Sequence, residues 1–265
     1  MNLVYPEVFL IGETRIIPSE MDKFLKTIGV PEWTTTAQSE AEVIIETEGK
    51  LCYMSFSKEL NKNLTKVGTR NNFQYIQDGL IKTGHGSVLE HTSVNLMFVN
   101  VSRVMTHELI RHRAGAAYSM TSDRYVRPKE LKFWIPSIIQ KDKVLCELFK
   151  KAVLEQEQIR EQMEIASGID KMTDPKDFSK KKELTSAFRR IIGTGQATNI
   201  GATYNHRALR HIIEARTSIY AEEEIRLVFN KVFEVVSKQY PSIYADAILN
   251  SVGDYFEISF ANSKI

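Results

Sequence analysis

An apolar helical run that closes on Arg111-His112-Arg113 constrains the fold of this chain more than any other segment. The run opens at Ser102, a good N-cap residue, and is expected to continue as helix to about Arg113. It follows a strand read from His91 to Val101, where Val94, Leu96, Phe98 and Val99 alternate imperfectly. A helix so placed lies against a core. Yet Arg103, His107 and Arg111 recur at i, i+4, i+8, and Glu108 and His112 are also four apart. Cations near a helix C-terminus complement the macrodipole, which accounts for one or two of them. Three basic or titratable side chains in a row, followed by Ser119, Ser122 and Arg124, favour a receptor for an anion such as phosphate. His107 and His112 are five apart. At about 100° per residue they lie about 140° apart around the helix, so they cannot share a metal ion.

The bulk numbers exclude several classes. The 265 residues suffice for one large domain, and a hydrophobic fraction of 43% supports a real core. Net charge is 35 − 33 = +2, too balanced for a dedicated nucleic-acid binder. No apolar run approaches the roughly 18 residues of a membrane span, and no basic leader opens the chain, so a cytoplasmic protein is expected. Cys52 and Cys146 have no metal-ligand spacing and read as small buried hydrophobes. No metal site is expected.

Along the chain, Val4 to Ile16 reads as a strand. Helices are expected over Ser19–Ile28, Ser39–Met54 and Asn71–Lys82, the last stopping at Gly84. A Gly/Ala/Ser/Thr loop runs from Arg113 to Arg124-Tyr125-Val126, and Trp134-Ile135-Pro136 is extended. Lys141–Ala166 reads as a long amphipathic helix burying Val144, Leu145, Leu148, Phe149, Ala152, Ile159 and Met163. Gly168–Lys182 reads as a mobile polar loop whose three lysines form a solvated face. Helices resume at Glu183–Ile192, Tyr204–Arg216 and Tyr220–Lys238. With no repeat and no clear linker, the expected fold is a single helix-rich α+β domain over residues 1–265, with an antiparallel sheet.

Two further clusters carry candidate chemistry. In Gly84-His85-Gly86-Ser87-Val88-Leu89-Glu90-His91, two glycines around a histidine make either a plain turn or a close backbone approach to a ligand. In Asn205–Arg216, Leu209, Ile212, Ile213 and Arg216, with Tyr220 beyond, share one stripe, so Arg216 stands where a leucine is expected. It is either half of a buried ion pair, with Glu214 or another acid, or a ligand contact at the core's edge.

From about Leu51 to Arg226 these blocks resemble flavin-dependent thymidylate synthases. Arg111-His112-Arg113 leads to Ser122-Asp123-Arg124-Tyr125 as in that family's RHR…S-x-R signature. Ser102-Arg103…His107-Glu108-Leu109-Ile110 is similar to its SRxxxHQLVRHR helix, and the Gly84–His91 block to GHxSxxEH. Asn205-His206-Arg207, Arg210–Arg216 and Ala221–Arg226 complete the order.

The resemblance implies an α/β homotetramer with active sites shared between subunits. It implies conversion of deoxyuridylate (dUMP) to thymidylate (dTMP), with FAD as cofactor and with 5,10-methylenetetrahydrofolate and NADPH as co-substrates. It also implies roles for single residues. Arg216 contacts the uracil and promotes ionisation at N3. Ser87, Glu90, Arg111, His112, Arg113, Asn205, Arg207 and His211 hold FAD. Glu108, Leu109, Ile110, Arg111, Met120, Thr121, Ser122, Asp123, Arg124 and Arg189 line the nucleotide. This chain departs from the pattern in places. Eight residues rather than seven separate Arg113 from Ser122, the extra one lying within Ala114-Gly115-Ala116. Glu108 replaces glutamine, Ala117 a serine, Gly193 a proline, and Met120 stands where an acid or amide is common.

Overall fold

The computed structural model describes residues 2–56, 68–263 and 265. Strands β1 (Asn2–Leu3) and β2 (Glu7–Glu13) precede helices α1 (Pro18–Thr27) and α2 (Glu40–Leu51). A helical turn, Asn72–Gln74, runs on as a π-helix over Tyr75–Ile81. Then come β3 (Ser93–Ser102), α3 (Arg103–Leu109), β4 (Ala116–Met120) and β5 (Lys132–Phe133). Helices α4 (Lys143–Ser167) and α5 (Phe178–Phe188) lead to β6 (Ala197–Asn205), α6 (His206–Thr217) and α7 (Glu223–Gln239). The hairpin β7 (Ala247–Val252) and β8 (Tyr255–Phe260) closes the order. The expected mixture of helix and sheet is present, with a four-stranded sheet ordered β2-β3-β6-β4.

The chain divides into two compact units. One comprises Met1–Glu7, Phe98–Arg111 and Tyr118–Gly201. The other comprises Val8–Met97, His112–Ala117 and Ala202–Ile265. Strands β3 and β6 each contribute to both.

In the first unit, Ser102 caps α3 by accepting from the Met105 amide at 3.0 Å, as its position in sequence predicts. Helix α3 stops at Leu109 rather than Arg113. Arg111-His112-Arg113 therefore lies beyond the helix, and the macrodipole account does not apply to it. Helix α4 matches its expected span closely, but its expected buried stripe does not. Val144 is 65% exposed, Leu148 57% and Ile159 50%. Of the expected stripe Phe149 does pack inward, joined by Val153 and Arg160, with Phe149 and Val153 against Leu131, Phe133 and Ile192. Polar contacts set this register: Glu157 accepts from the Leu131 amide at 2.8 Å and Gln156 from the Gly193 amide at 2.8 Å. The expected loop over Gly168–Lys182 is ordered into short 3-10 turns and the start of α5, with Asp174 capping one turn. Cys146 is half-buried on α4.

In the second unit, α2 is capped by Ser39, and Cys52 just past its end is exposed rather than buried. Gly49 on α2 admits the Tyr75 ring, for a Cβ there would stand 2.8 Å from its hydroxyl oxygen. Helix α6 begins at His206, not Tyr204, because Asn205 caps it by accepting from the Ala208 amide at 2.8 Å. The residues before the cap are strand, with Ala202 and Tyr204 buried. Leu209, Ile212 and Ile213 on α6 meet a core shared with Ile225, Val228, Phe229, Val232 and Val236 on α7. Glu222, Glu223 and Glu224 open α7, where the macrodipole favours acids, and Glu222 accepts from the amides of Glu224 and Ile225. Tyr220, expected on the α6 stripe, lies past the helix and is 92% exposed.

Arg210 is a fully buried cation of this unit. It sits at 0% exposure, bonded to both carboxylate oxygens of Asp246 at 2.7 and 2.8 Å and to the Ile243 carbonyl at 2.7 Å. The Phe260 ring lies 4.0 Å from its guanidinium carbon. Removing one partner of such a pair strands the other charge in the core. Asp246→Ala is expected to cost about 3–5 kcal/mol in urea unfolding. A loss below about 1 kcal/mol would show that Arg210 does not depend on this carboxylate.

Candidate functional site

The two units hold different parts of the expected site. In the first, Arg103 gathers the segment after β4. Its Nη2 lies 2.5 Å from the Asp123 carboxylate and donates to the Thr121 carbonyl at 3.2 Å, while Nη1 reaches the Met120 sulfur at 3.7 Å. The Thr121 amide is held by the Asn199 carbonyl at 3.0 Å. Ser122 starts a turn: its carbonyl accepts from the amides of Tyr125 and Val126, and its hydroxyl from the Arg124 amide at 3.4 Å. Arg124 is exposed within that turn. Leu109 is buried, its carbonyl accepting from the Tyr118 hydroxyl at 3.0 Å, while Glu108 is half-buried and Ile110 and Arg111 are exposed. Arg189 follows α5 and, with Asp123 and Arg160, lines a small cavity. Sequence reasoning placed Arg103 on a helical face but gave it no role. The signal was its position directly after the capping serine, where a long side chain reaches back over the sheet.

In the second unit, Arg216 of α6 finds its partner. Its Nε donates to Nε2 of His112 at 2.7 Å. This partner is an imidazole, where the ion-pair alternative offered Glu214 or another acid. Accepting at Nε2 requires His112 to be neutral, with its proton on Nδ1. Burial, then the neighbouring Arg216 charge, then His211 push the His112 pKa down to about 4. The His211 ring stands edge-on to His112 with centroids 6.0 Å apart. One helix turn before His211, Arg207 donates to Glu90 at 2.6 Å. Gly86 lets that arginine close in, for a Cβ there would stand 3.1 Å from its Nε and 2.9 Å from Ile265. Ser87 is exposed on the same turn.

The longer loop after Arg113 has a defined place. Gly115 has φ +65°, and its carbonyl accepts from the Asn205 amide at 3.0 Å. A Cβ here would lie 2.5 Å from the Asn205 side-chain nitrogen and 2.8 Å from Ala208 Cβ. The loop thus folds down on the cap of α6. Asn205, Arg207, His211 and Arg216 are all carried by that cap and helix. Exposed and half-exposed guanidinium, imidazole and hydroxyl donors around a tight glycine turn fit the phosphates and anionic ring of a flavin dinucleotide. Alongside the expected residues stands a buried pair without an expected role: His206 bonds the Tyr244 hydroxyl at 2.9 Å, and burial lowers its pKa to about 3.

Residues 34–242 match the family model described as thymidylate synthase complementing protein. A flavin-dependent thymidylate synthase of Mycobacterium bovis is 32% identical over 237 residues, covering 89% of this chain and 90% of that protein. One from Corynebacterium efficiens is 30% identical over 222 residues, covering 84% and 85%. Among solved structures, thymidylate synthase X from Helicobacter pylori, with FAD and dUMP, has TM-score 0.57 at 17% identity, covering 91% of this chain and 98% of that one. The UMP/dUMP methylase PolB from Streptomyces cacaoi, bound with 5-Br dUMP, has TM-score 0.63 at 15% identity, covering 92% and 96%. The chain belongs to the flavin-dependent thymidylate synthase family, an enzyme family of methyltransferases.

His112 should stay neutral down to about pH 4. Its folded pKa lies below its unfolded one, so stability at this group rises with pH through that window and falls on acidification. NMR titration of the imidazole checks this. A midpoint above 6 would contradict the Arg216–His112 bond. Separately, Gly253 has φ +61°, and a Cβ added there would have nothing within 4 Å. Gly253→Ala should cost only the left-handed backbone penalty, about 1–2 kcal/mol. Gly115→Ala should cost more, because it also strikes the α6 cap. Equal losses in urea unfolding would mean the loop is not seated on Asn205.

Proposed function

We propose that this protein converts dUMP to dTMP in the cytoplasm, as one functional domain over residues 1–265 that assembles into homotetramers with shared active sites. The balanced reaction is dUMP + 5,10-methylenetetrahydrofolate + NADPH + H⁺ → dTMP + tetrahydrofolate + NADP⁺. FAD, when bound, passes the reducing equivalents. The observation that carries this reading is the Arg216–His112 pair, a guanidinium oriented by a neutral imidazole at 2.7 Å.

In this reading Arg216 offers fixed positive charge to the uracil. Loss of the N3 proton leaves an anion that a guanidinium stabilises, and the electron density reaches C5, where the new carbon bond forms and a proton leaves. A neutral His112 orients Arg216 without adding a competing charge. Ser122 and Arg124 take the nucleotide phosphate, a hydroxyl and a fork of N–H donors suited to its oxygens. Glu108, Leu109, Ile110, Arg111, Met120, Thr121, Asp123 and Arg189 complete the nucleotide's surroundings, with Arg103 holding Met120, Thr121 and Asp123 in place. Ser87, Glu90, Arg111, His112, Arg113, Asn205, Arg207 and His211 hold FAD. The Glu90–Arg207 pair fixes the guanidinium for a phosphate.

The purified protein, given FAD, NADPH, methylenetetrahydrofolate and dUMP, should release dTMP and tetrahydrofolate, identified by chromatography and mass. Arg216→Ala should lower turnover about 10²–10³-fold while the unfolding midpoint stays close to that of the unaltered protein. Full turnover in that variant sinks the uracil assignment, and loss of fold makes Arg216 a structural residue. Preferential methylation of UMP would replace dUMP as the substrate.

A further inference from the structure

Helix α5 buries Thr185 and Phe188 and presents a polar face on its opposite side. Ser179, Lys182, Glu183, Ser186, Ala187 and Arg190 stand at i, i+3, i+4, i+7, i+8 and i+11, the spacing of a single face continued past the helix end. With Arg124 they line a groove of about 370 Å³. A second groove, of about 430 Å³, shares Arg124 and Lys182 and adds the rings of Tyr125 and Phe178. Those rings stack 6.5 Å apart at 24°, and they are 57% and 61% exposed. Lys182 Nζ lies 5.0 Å over the Tyr125 ring. Of the cations around the two grooves, Arg127 is neutralised by Asp170 at 2.8 Å, and Lys181 donates to the Met172 carbonyl at 3.3 Å. Arg124, Lys182 and Arg190 enter no ion pair among the described residues, and Glu183 is the one acid lining the first groove.

Cations and serine hydroxyls suit phosphate oxygens, and an exposed aromatic pair suits a planar base. One phosphate would engage only part of the cluster. We propose that the double groove binds a nucleotide bearing two or more phosphates, its base on Tyr125 and Phe178 and its phosphates on Lys182, Arg190, Ser179 and Ser186, beside the Arg124 that serves dUMP. Resting on the reaction proposed above, its source is the adenosine half of NADPH, which carries a diphosphate and a 2′-phosphate. A nucleoside triphosphate shares that chemistry. The near-neutral charge of the chain, +2, disfavours a nucleic acid.

Calorimetric titration of the purified protein with NADP⁺, NAD⁺, ATP and a ten-residue oligothymidylate tests this. NADP⁺ should bind at least about tenfold tighter than NAD⁺, because the 2′-phosphate adds charge-assisted bonds. The double variant Lys182→Ala/Arg190→Ala should abolish most of that preference, while Lys143→Ala on α4 should leave it intact. Equal affinity for NADP⁺ and NAD⁺, an unchanged ratio in the double variant, or an equal loss in Lys143→Ala would overturn the proposal. ATP binding tighter than NADP⁺ overturns the reductant as the source. An oligothymidylate that outcompetes both overturns the mononucleotide class. The measurement is of binding, so a failure to make dTMP with NADP⁺ preference intact would sink the function above and not this site.

Discussion

A guanidinium at zero exposure has no solvent to fall back on, and the second unit is organised around supplying Arg210 with an alternative. Asp246 meets it with two bonds, the Ile243 carbonyl with a third, and the Phe260 ring covers its face. The desolvation of such a pair is several kcal/mol per ion, recovered only when geometry is close to ideal. That requirement fixes the rotation of α6 about its own axis. Once Arg210 points at Asp246, Leu209 and Ile213 flank it on one side, in the core, and Arg207 and His211 flank it on the other, towards solvent. The residues with candidate chemistry are therefore aimed by one that has none.

Much of this was legible in the sequence, and the reasons differ by element. The Ser102 cap was legible because it is local, bonding an amide three residues on; Ser39, Asn205 and Glu222 cap in the same way, but the apolar spacing alone did not mark them. Helix α7 was legible because its apolar spacing matches its burial. The α4 stripe misled because two apolar faces compete on that helix, and the winning one is chosen by Gln156, Glu157 and Arg160, whose partners lie 26 to 37 residues away. Strand β6 was partly absorbed into the expected helix because Tyr204 fits either period, and only the Asn205 cap divides them. The anomaly of Arg216 was legible from spacing, but its partner was not. His112 is 104 residues away, and nothing in a local pattern chooses an imidazole over a carboxylate.

The departures from the family signature also have physical consequences. An added residue in a loop can bulge outward or turn inward. Gly115 turns inward, and it does so because it is a glycine: its backbone is left-handed and its Cα is against Asn205. The neighbouring alanines could not take that place. Downstream, Met120 stands where acids or amides are common, and its sulfur lies against Arg103. The guanidinium already has Asp123, so it does not need a second acid at 120. The two changes are thus accommodated separately, one by backbone freedom and the other by a charge that is satisfied elsewhere.

The identity of the Arg216 partner decides what that arginine can do. A carboxylate would orient the guanidinium as well, but it would neutralise much of the charge an anionic ring could feel. A neutral imidazole orients through one N–H and adds no charge of its own. The arrangement is self-consistent, because the Arg216 charge is one of the causes that lower the His112 pKa. If His112 were protonated it would lose the lone pair that accepts the bond and would repel the guanidinium. Binding of an anion at Arg216 would partly relieve that repulsion and raise the His112 pKa, so the pair couples ligand charge to proton uptake. Acid should therefore break the Arg216–His112 bond at a higher pH in the occupied protein than in the empty one.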